Sequence, residues 1–196
     1  MIGICGLSVA RGWSVAHFAL VTMNIDASKN RAEIARAWGT VPGVASKALQ
    51  ELMDMIEASD PMAADRRRED ISAFLSVKPL SSFGWLSLSG MQLGTHQPME
   101  QVLESLKLSM LTGPNEGYVM AERGIFAVSL WENLSPDLKA RAALDLVYSR
   151  SSTNDAMNEK LRTVISSKPY WVRNELREAI LATGFSPKEI GQQLGP

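Results

Sequence analysis

Residue types that commonly build chemical sites are scarce in this chain. Its 196 residues include one cysteine, Cys5, and two histidines, His17 and His96. A single cysteine excludes an internal disulfide and a cysteine-based zinc site, and two isolated histidines exclude a histidine-rich metal site. The sequence therefore predicts that the protein binds no metal and no cofactor.

The sequence patterns of common enzyme active sites are also missing. There is no Gly-x-Ser-x-Gly sequence, and no glycine-rich loop of the kind that binds phosphates. His17 lies in an apolar segment and His96 in a turn, so neither is placed for nucleophilic catalysis with a nucleophile and an orienting acid. We therefore predict that the protein is not an enzyme, and we infer no catalytic residue and no small-molecule substrate.

The chain has no strong bias toward one sign of charge. It carries 20 basic and 21 acidic residues, and its net charge is −1. This balance gives no global signal for binding nucleic acid or a basic partner. Hydrophobic residues make up 45% and charged residues 21% of the chain, which is ordinary for a globular protein.

The most apolar segment is residues 1–25, MIGICGLSVARGWSVAHFALVTMNI, which Arg11 and His17 interrupt. A membrane-spanning helix needs about 20 apolar residues, and a central arginine costs about 2.5–3.5 kcal/mol on insertion scales. Three interpretations stay open: a membrane anchor with Arg11 near one interface, a buried first helix of the fold, or an anchor shortened by a wrongly chosen start. We favour the anchor, which predicts a membrane-associated protein.

Residues 28–196 are predicted to form one α-helical domain, because no useful length of strand-like alternation occurs. Helices are predicted at residues 80–93, 99–111 and 115–131. Gly113 is placed to act as the C′ glycine of the second of these. Ser135 followed by Pro136 is typical of a helix start, with serine as the N-cap.

The spacing of apolar residues predicts which helix faces are buried. The helix that follows Gly113 carries apolar residues on two sides, which predicts that it packs between neighbours. One stripe contains Tyr118, Ala121, Ile125 and Val128, and the other contains Met120, Gly124, Ala127 and Trp131. Later helices are predicted to be buried through Ala140, Ala143, Leu144 and Val147, and then through Val172, Leu176 and Ile180.

Two charged segments have competing interpretations. The DRRRED block at residues 65–70 mixes signs, which favours a solvated helix face over a binding patch. The KPYWVR segment at residues 168–173 would suit attachment to nucleic acid or a membrane. We favour Trp171 as a packing anchor, because acidic residues dilute the local positive charge.

Residues 32–49, AEIARAWGTVPGVASKAL, resemble a helix-turn-helix of the repressor type. Ala35, Gly39 and Ser46 stand where that motif favours alanine, glycine and serine. However, Pro42 and Gly43 would lie inside the recognition helix, which must be rigid and polar at its N-terminal end to read bases. A helix-turn-helix DNA-binding regulator is therefore the alternative function, and nucleic acid is not the favoured partner.

Residues 79–114 resemble a degenerate tetratricopeptide unit. Trp85, Leu88 and Gly90 lie on its first helix, and a turn and a second helix follow. Pro79 and Pro114 are 35 positions apart, close to the repeat length of about 34. The resemblance implies an all-α, tetratricopeptide-like array of antiparallel helical hairpins, preceded by the N-terminal helix that could anchor it.

A second resemblance covers most of the chain beyond residue 30. The chain resembles a group of uncharacterised alphaproteobacterial proteins. The similarity lies in residues 79–147, in the segment KPYWVRNELREAILATGFSPKEI, and at Trp38 and Pro42. Those proteins have a hydrophobic N-terminal helix and a tetratricopeptide-like domain, and they accompany genes for surface polysaccharide synthesis or export. The resemblance implies a non-enzymatic interaction scaffold or accessory subunit at the membrane, which binds protein partners.

In that group TGPNEGYVM, residues 112–120, looks like a signature. If it is functional, the exposed candidates for partner binding are Asn115, Glu116, Tyr118 and Arg123. The simpler interpretation is that these residues only stop one helix and start the next. The resemblance slightly favours a periplasmic domain, whereas the basic residues that follow the apolar segment favour the cytoplasmic side. These two indications conflict.

Overall fold

The computed structural model describes residues 64–185 together with Glu33, Arg36, Ala37 and Gly39. The described part contains seven α-helices and two short 3-10 helices, without a strand, so the predicted all-α fold is confirmed there. No helix among the described residues is both long and apolar enough to cross a membrane. The candidate anchor, residues 1–25, lies outside the described residues. The chain forms two compact units, residues 1–80 with 94–96, and residues 81–93 with 97–196.

In the first unit, helix α1 spans Ala64–Val77. Ile71, Phe74 and Leu75 are buried, with exposed fractions of 0%, 1% and 5%. Asp70 is also buried, and it accepts hydrogen bonds from Arg36 Nε at 2.8 Å and Arg36 Nη2 at 2.7 Å. The predicted solvated face of residues 65–70 is therefore wrong at Asp70, because a paired carboxylate tolerates burial.

The second unit contains six α-helices joined by short turns, with a 3-10 helix on each side of the fourth. They are α2 (Ser82–Gly94), α3 (Met99–Thr112), α4 (Gly117–Ser129), the 3-10 helix Trp131–Asn133, α5 (Pro136–Tyr148), the 3-10 helix Arg150–Ser152, α6 (Asp155–Ser166) and α7 (Tyr170–Leu181).

Two polar caps define helix starts in this unit. Ser135 Oγ accepts a hydrogen bond from Leu138 N at 3.4 Å, and Pro136 is the first residue of α5, as predicted. Asn154 Oδ1 accepts from Met157 N at 2.9 Å at the start of α6. Each side chain satisfies an amide that has no partner within its own helix.

Two pairs of consecutive helices, α2 with α3 and α4 with α5, run antiparallel. Ser89 Oγ donates to Val102 O at 2.7 Å, and Ser109 Oγ donates to Ser82 O at 2.8 Å. The two bonds join early α2 to late α3 and late α2 to early α3, so these helices run in opposite directions. Helices α4 and α5 also run in opposite directions, because Gly117 approaches Ser152 while Lys139 lies over the ring of Trp131.

Helix α4 lies at the centre of the core, as its two apolar stripes predicted. It contacts α3, α5 and α6. Its buried residues include Met120, Ala121, Gly124, Ile125, Ala127 and Val128. Tyr118 is the exception to the predicted stripe, because it lies in the first turn of the helix and is 56% exposed.

The buried faces of the later helices are partly as predicted. Val172, Leu176 and Ile180 of α7 are buried. On α5 the buried set is shifted, because Ala142, Asp145 and Leu146 face inward with Ala143 and Val147, while Ala140 is exposed. The prediction that Trp171 is a packing anchor is wrong, because its side chain is 55% exposed.

Candidate functional site

The candidate site is residues 113–118, which comprise the loop between α3 and α4 and the first two residues of α4. Asn115, Glu116 and Tyr118 are exposed there, as expected from the sequence. Pro114 is exposed beside them. The loop therefore presents a proline, an amide, a carboxylate and a phenol to solvent.

Arg123 does not belong to this exposed surface. The expectation that Arg123 is exposed is wrong, since the exposed fraction of the residue is 0%. It lies on the second turn of α4, between the two apolar stripes of a helix that is buried on both sides. In this position its side chain reaches inward to α3 and α5.

Arg123 and Asp145 form a fully buried ion pair between α4 and α5. Arg123 Nε donates to Asp145 Oδ2 at 2.6 Å, and Arg123 Nη2 donates to Asp145 Oδ1 at 2.9 Å. Both side chains have an exposed fraction of 0%. The contact is bidentate, which matches the planar guanidinium to the planar carboxylate and fixes their relative orientation.

The same guanidinium caps the C-terminal end of α3. Arg123 Nη1 donates to Ser109 O at 2.8 Å and to Gly113 O at 3.2 Å. The last carbonyls of a helix lack partners within the helix and carry partial negative charge, so a buried cation is favourable there. Arg123 therefore fixes the point where α3 ends and the loop begins.

The charge state of this pair reflects its burial. Loss of hydration raises the pKa of the Asp145 carboxyl above its ordinary 3.8, while the hydrogen bonds and charge of Arg123 and the charge of Arg141 oppose that rise. The desolvation cost of a buried ion pair can exceed the attraction between its charges. We therefore explain the presence of this pair by the geometry that it imposes on α3 and the loop, and not by a gain in the free energy of unfolding.

A second arginine ties the loop itself. Arg141 Nη2 donates to Pro114 O at 2.6 Å, and Arg141 Nε lies 3.4 Å from Asp145 Oδ1. Asp145 accepts hydrogen bonds from Arg123, whereas its contact with Arg141 is an ion pair in which Arg141 Nε makes no hydrogen bond. The two consecutive carbonyls at Gly113 and Pro114 are each held by one of the two arginines.

The remaining ties come from α2 and from the 3-10 helix after α5. Ser82 Oγ donates to Glu116 Oε2. A Cβ on Gly113 would collide with the Ser82 side chain and approach Glu116 Oε1 to 2.8 Å. A Cβ on Gly117 would meet the Ser152 side chain, with Ser152 Cβ at 3.0 Å. The loop is therefore closely packed at both ends.

Gly113 is required for a different reason from the one predicted. Its φ is −140°, so the residue does not adopt the left-handed conformation expected of a C′ glycine. Its lack of a side chain instead allows Ser82 and Glu116 to approach the backbone. The sequence shows that a glycine stands here, but not which neighbour needs the space.

Sequence reasoning missed Asp145, Arg141 and Ser82 as parts of this site. The signal for Arg123 was present, because an arginine on a helix that is apolar on two sides has little solvent to reach. Its partner could not be identified, since Asp145 lies 22 positions away on another helix. Among the described residues, no three histidine, cysteine, aspartate or glutamate side chains are grouped to hold a metal ion.

Comparisons with protein-family models, curated proteins and solved structures find no match to this chain. The helix-turn-helix alternative at residues 32–49 lies outside the described residues except at Glu33, Arg36, Ala37 and Gly39. Function must therefore be argued from the site.

Proposed function

We propose that this protein is a non-enzymatic scaffold that binds a partner protein through Asn115, Glu116 and Tyr118. The observation that supports this most directly is the set of arginine contacts beneath the loop. Arg123 and Arg141 fix two consecutive loop carbonyls from below, while the side chains above them stay exposed.

A loop held in this way is suited to binding. Association costs free energy whenever flexible side chains and loops must be ordered, and a loop ordered in advance reduces that cost. Tyrosine residues are frequent among the side chains that dominate interface energies. Tyr118 is 56% exposed at one end of the fixed loop, so a partner could bury it without rearranging the core.

The architecture we propose for the second unit is a tetratricopeptide-like array. Consecutive helices α2 and α3 are antiparallel, and α4 and α5 are antiparallel. Helices α4 and α6 run in the same direction, since Lys160 of α6 pairs with Glu122 early in α4 and Lys168, just after α6, contacts Ser129 at the end of α4. Arrays of this kind present extended surfaces to protein partners.

The cellular setting we propose rests on the sequence. Residues 1–25 would anchor the protein to a membrane as a single helix, and the domain would act as an accessory of envelope polysaccharide biosynthesis or export, with a periplasmic location favoured. The partners would then be subunits of a membrane complex.

Site-specific photocrosslinking of the full-length protein in its native cells tests the proposed function. A photoreactive phenylalanine analogue replaces Tyr118, and a matched control replaces Tyr170, which is 74% exposed. Tyr170 follows Lys168, whose Nζ contacts Ser129 O at 2.7 Å. The control therefore lies near the opposite end of α4 from the loop.

We expect one discrete crosslink to a different protein at position 118 and none to that protein at position 170. A crosslink between two copies of this chain is recognised by its mass and does not count as a partner. Asn115→Ala should reduce the yield from position 118 without changing the amount of folded protein. Equal products at both positions, or none at position 118, would refute a partner-binding role for the loop.

A further inference from the structure

A groove lies between α3 and the start of α5. Its volume is about 360 Å³, and it is lined by Leu103 and Leu138 together with Glu100, Glu104, Lys107, Ser135 and Asp137. The two leucines are only half-buried, so the groove leaves apolar surface in contact with solvent. Because a cavity of about 150 Å³ can hold benzene, this groove can accommodate a large aromatic side chain.

The charged side chains around the groove are mostly acidic and lack partners. Three carboxylates and one ammonium group line it. Glu100, Glu104 and Asp137 make no ion pair within the described residues, and all three are exposed. An apolar floor inside an acidic rim fits a side chain that is aromatic and is flanked by cations.

The first turns of α7 carry such a group. Tyr170 and Trp171 are exposed to 74% and 55%, although adjacent exposed aromatic side chains are costly in water. Arg173 and Arg177 are exposed one and two turns after Tyr170, on its face of the helix, and make no ion pair within the described residues. Trp171 shares its own face with Glu175 and Glu178, so Tyr170 is the aromatic side chain flanked by cations. On the described part of α7, Glu178 is the one carboxylate near these arginines that could offset their positive charge, because Glu175 is already paired with Lys139.

The groove and this helix start lie close together in one molecule. Lys139 Nζ donates to Glu175 Oε1 at 2.8 Å. Lys139 follows Leu138 of the groove, and Glu175 lies one helical turn after Trp171. Tyr170 and Trp171 nevertheless take no part in lining the groove.

We infer that the groove receives Tyr170 and its helix neighbours Arg173 and Arg177 from a second copy of this chain. The two surfaces match in charge and in apolar content, and both halves of that match lie on the same molecule. Since they lie side by side, a two-fold axis between them allows each groove to receive the α7 start of the other copy. Such a reciprocal contact closes on itself as a dimer. The inference does not depend on the function proposed for the loop.

Charge exchange in the full-length protein tests this dimer. One variant carries Glu100→Lys and Glu104→Lys, and the other carries Arg173→Glu and Arg177→Glu. Each should dissociate roughly 100-fold more readily than the wild type, because like charges then face each other in both contacts. In a mixture of the two variants, one contact has wild-type charges and the other has both charges reversed, so a heterodimer should form.

Sedimentation equilibrium in one buffer and detergent measures all samples, and circular dichroism checks that each variant is folded. Tyr170→Ala should weaken the dimer roughly tenfold or more, whereas Tyr148→Ala, another exposed aromatic, should leave it unchanged. A monomeric wild type would overturn the inference. So would a dimer that survives both pairs of charge changes, or a mixture that associates no better than the separate variants.

Discussion

The two ends of the central helix α4 are buried by opposite means. In its first half, Arg123 pairs with Asp145 of α5, and both charged side chains have no exposure. Just beyond its last residue, Trp131 is apolar and equally buried, and the charges lie outside it: Lys139 Nζ is 5.6 Å from the ring centroid and Glu175 Oε2 accepts from Trp131 Nε1 at 3.1 Å.

The difference shows what the buried charge adds. Trp131 fills the core, and its surface ion pair is the kind that contributes little, because solvent screens it. Arg123 gives up hydration to reach backbone carbonyls that no apolar residue could satisfy. We therefore expect changes at Trp131 to alter stability alone, and changes at Arg123 to alter both stability and the loop.

The largest effect is expected for Arg123→Met. It leaves the Asp145 carboxylate buried without its main partner, and removal of one member of a buried pair costs about 3–5 kcal/mol. The midpoint of urea unfolding measures this loss. Arg162→Met is the matched control, because Arg162 and Glu159 form an exposed pair at 3.5 Å and should matter by less than about 1 kcal/mol. Equal losses in the two variants would show that burial does not govern the pair.

The next largest effect is expected for Gly113→Ala. The added Cβ would collide with Ser82, and overpacking of this kind costs about 1–3 kcal/mol. Gly90→Ala is the control in the same hairpin, because nothing lies within 4 Å of its Cβ position. Since alanine favours a helix over glycine, that variant should gain roughly 0.5–1 kcal/mol. A stabilising Gly113→Ala would contradict the close packing of the loop.

At the other end of α4, Trp131→Phe should cost about 1–2 kcal/mol. The change removes the indole hydrogen bond to Glu175 and leaves part of the volume unfilled. Thermal unfolding measures the loss. The yield of crosslinking from position 118 should be unaffected. That result would show that this end of α4 does not influence the loop. A loss of crosslinking in a folded Trp131→Phe protein would mean that the two ends are coupled.

The smallest effect concerns pH. Hydrogen bonds from Lys168 and Lys139 hold the pKa values of Glu132 and Glu175 below the ordinary 4.5. A lowered carboxyl pKa stabilises the fold above the unfolded value, and that stability is lost as the pH falls through the folded value. Because both groups are largely exposed, the total should be below about 1 kcal/mol.

The variant with Glu132→Gln and Glu175→Gln isolates this contribution. It should be slightly less stable than the wild type at pH 7. The difference should shrink as the pH falls below 4.5 and vanish only below the lowered pKa values of the two groups in the folded protein. Asp145 acts in the opposite sense, because burial raises its pKa, but it is present in both proteins and cancels. A difference that grows as the pH falls would show that the sign is wrong.

Periodicity and helix caps predicted much of the second unit. The α7 stripe of Val172, Leu176 and Ile180, the two-sided burial of α4 and the serine-proline start of α5 depend on neighbouring positions in the sequence, so a sequence pattern can predict them. The resemblances to known families, the partner, the membrane anchor and the non-enzymatic role stay predictions.

The errors share a physical origin, which is that burial depends on partners distant in sequence. Arg123 is buried because Asp145 accepts its charge from another helix. Asp70 is buried because Arg36 pairs with it across 34 positions. Trp171 is exposed although it is apolar, since α7 faces the core through Val172 instead. No local pattern distinguishes these cases.

The most direct test of the central claim measures crosslinking from position 118 in a protein with Arg123→Met and Asp145→Leu. Replacing both members of a buried ion pair by apolar residues is often neutral for stability or better, so the fold should survive. If the buried arginine shapes the loop for its partner, this variant keeps the helicity of the wild type and a cooperative unfolding transition, and it loses the crosslinked product. If the product persists at its wild-type yield in the folded variant, the buried pair does not prepare the loop for binding.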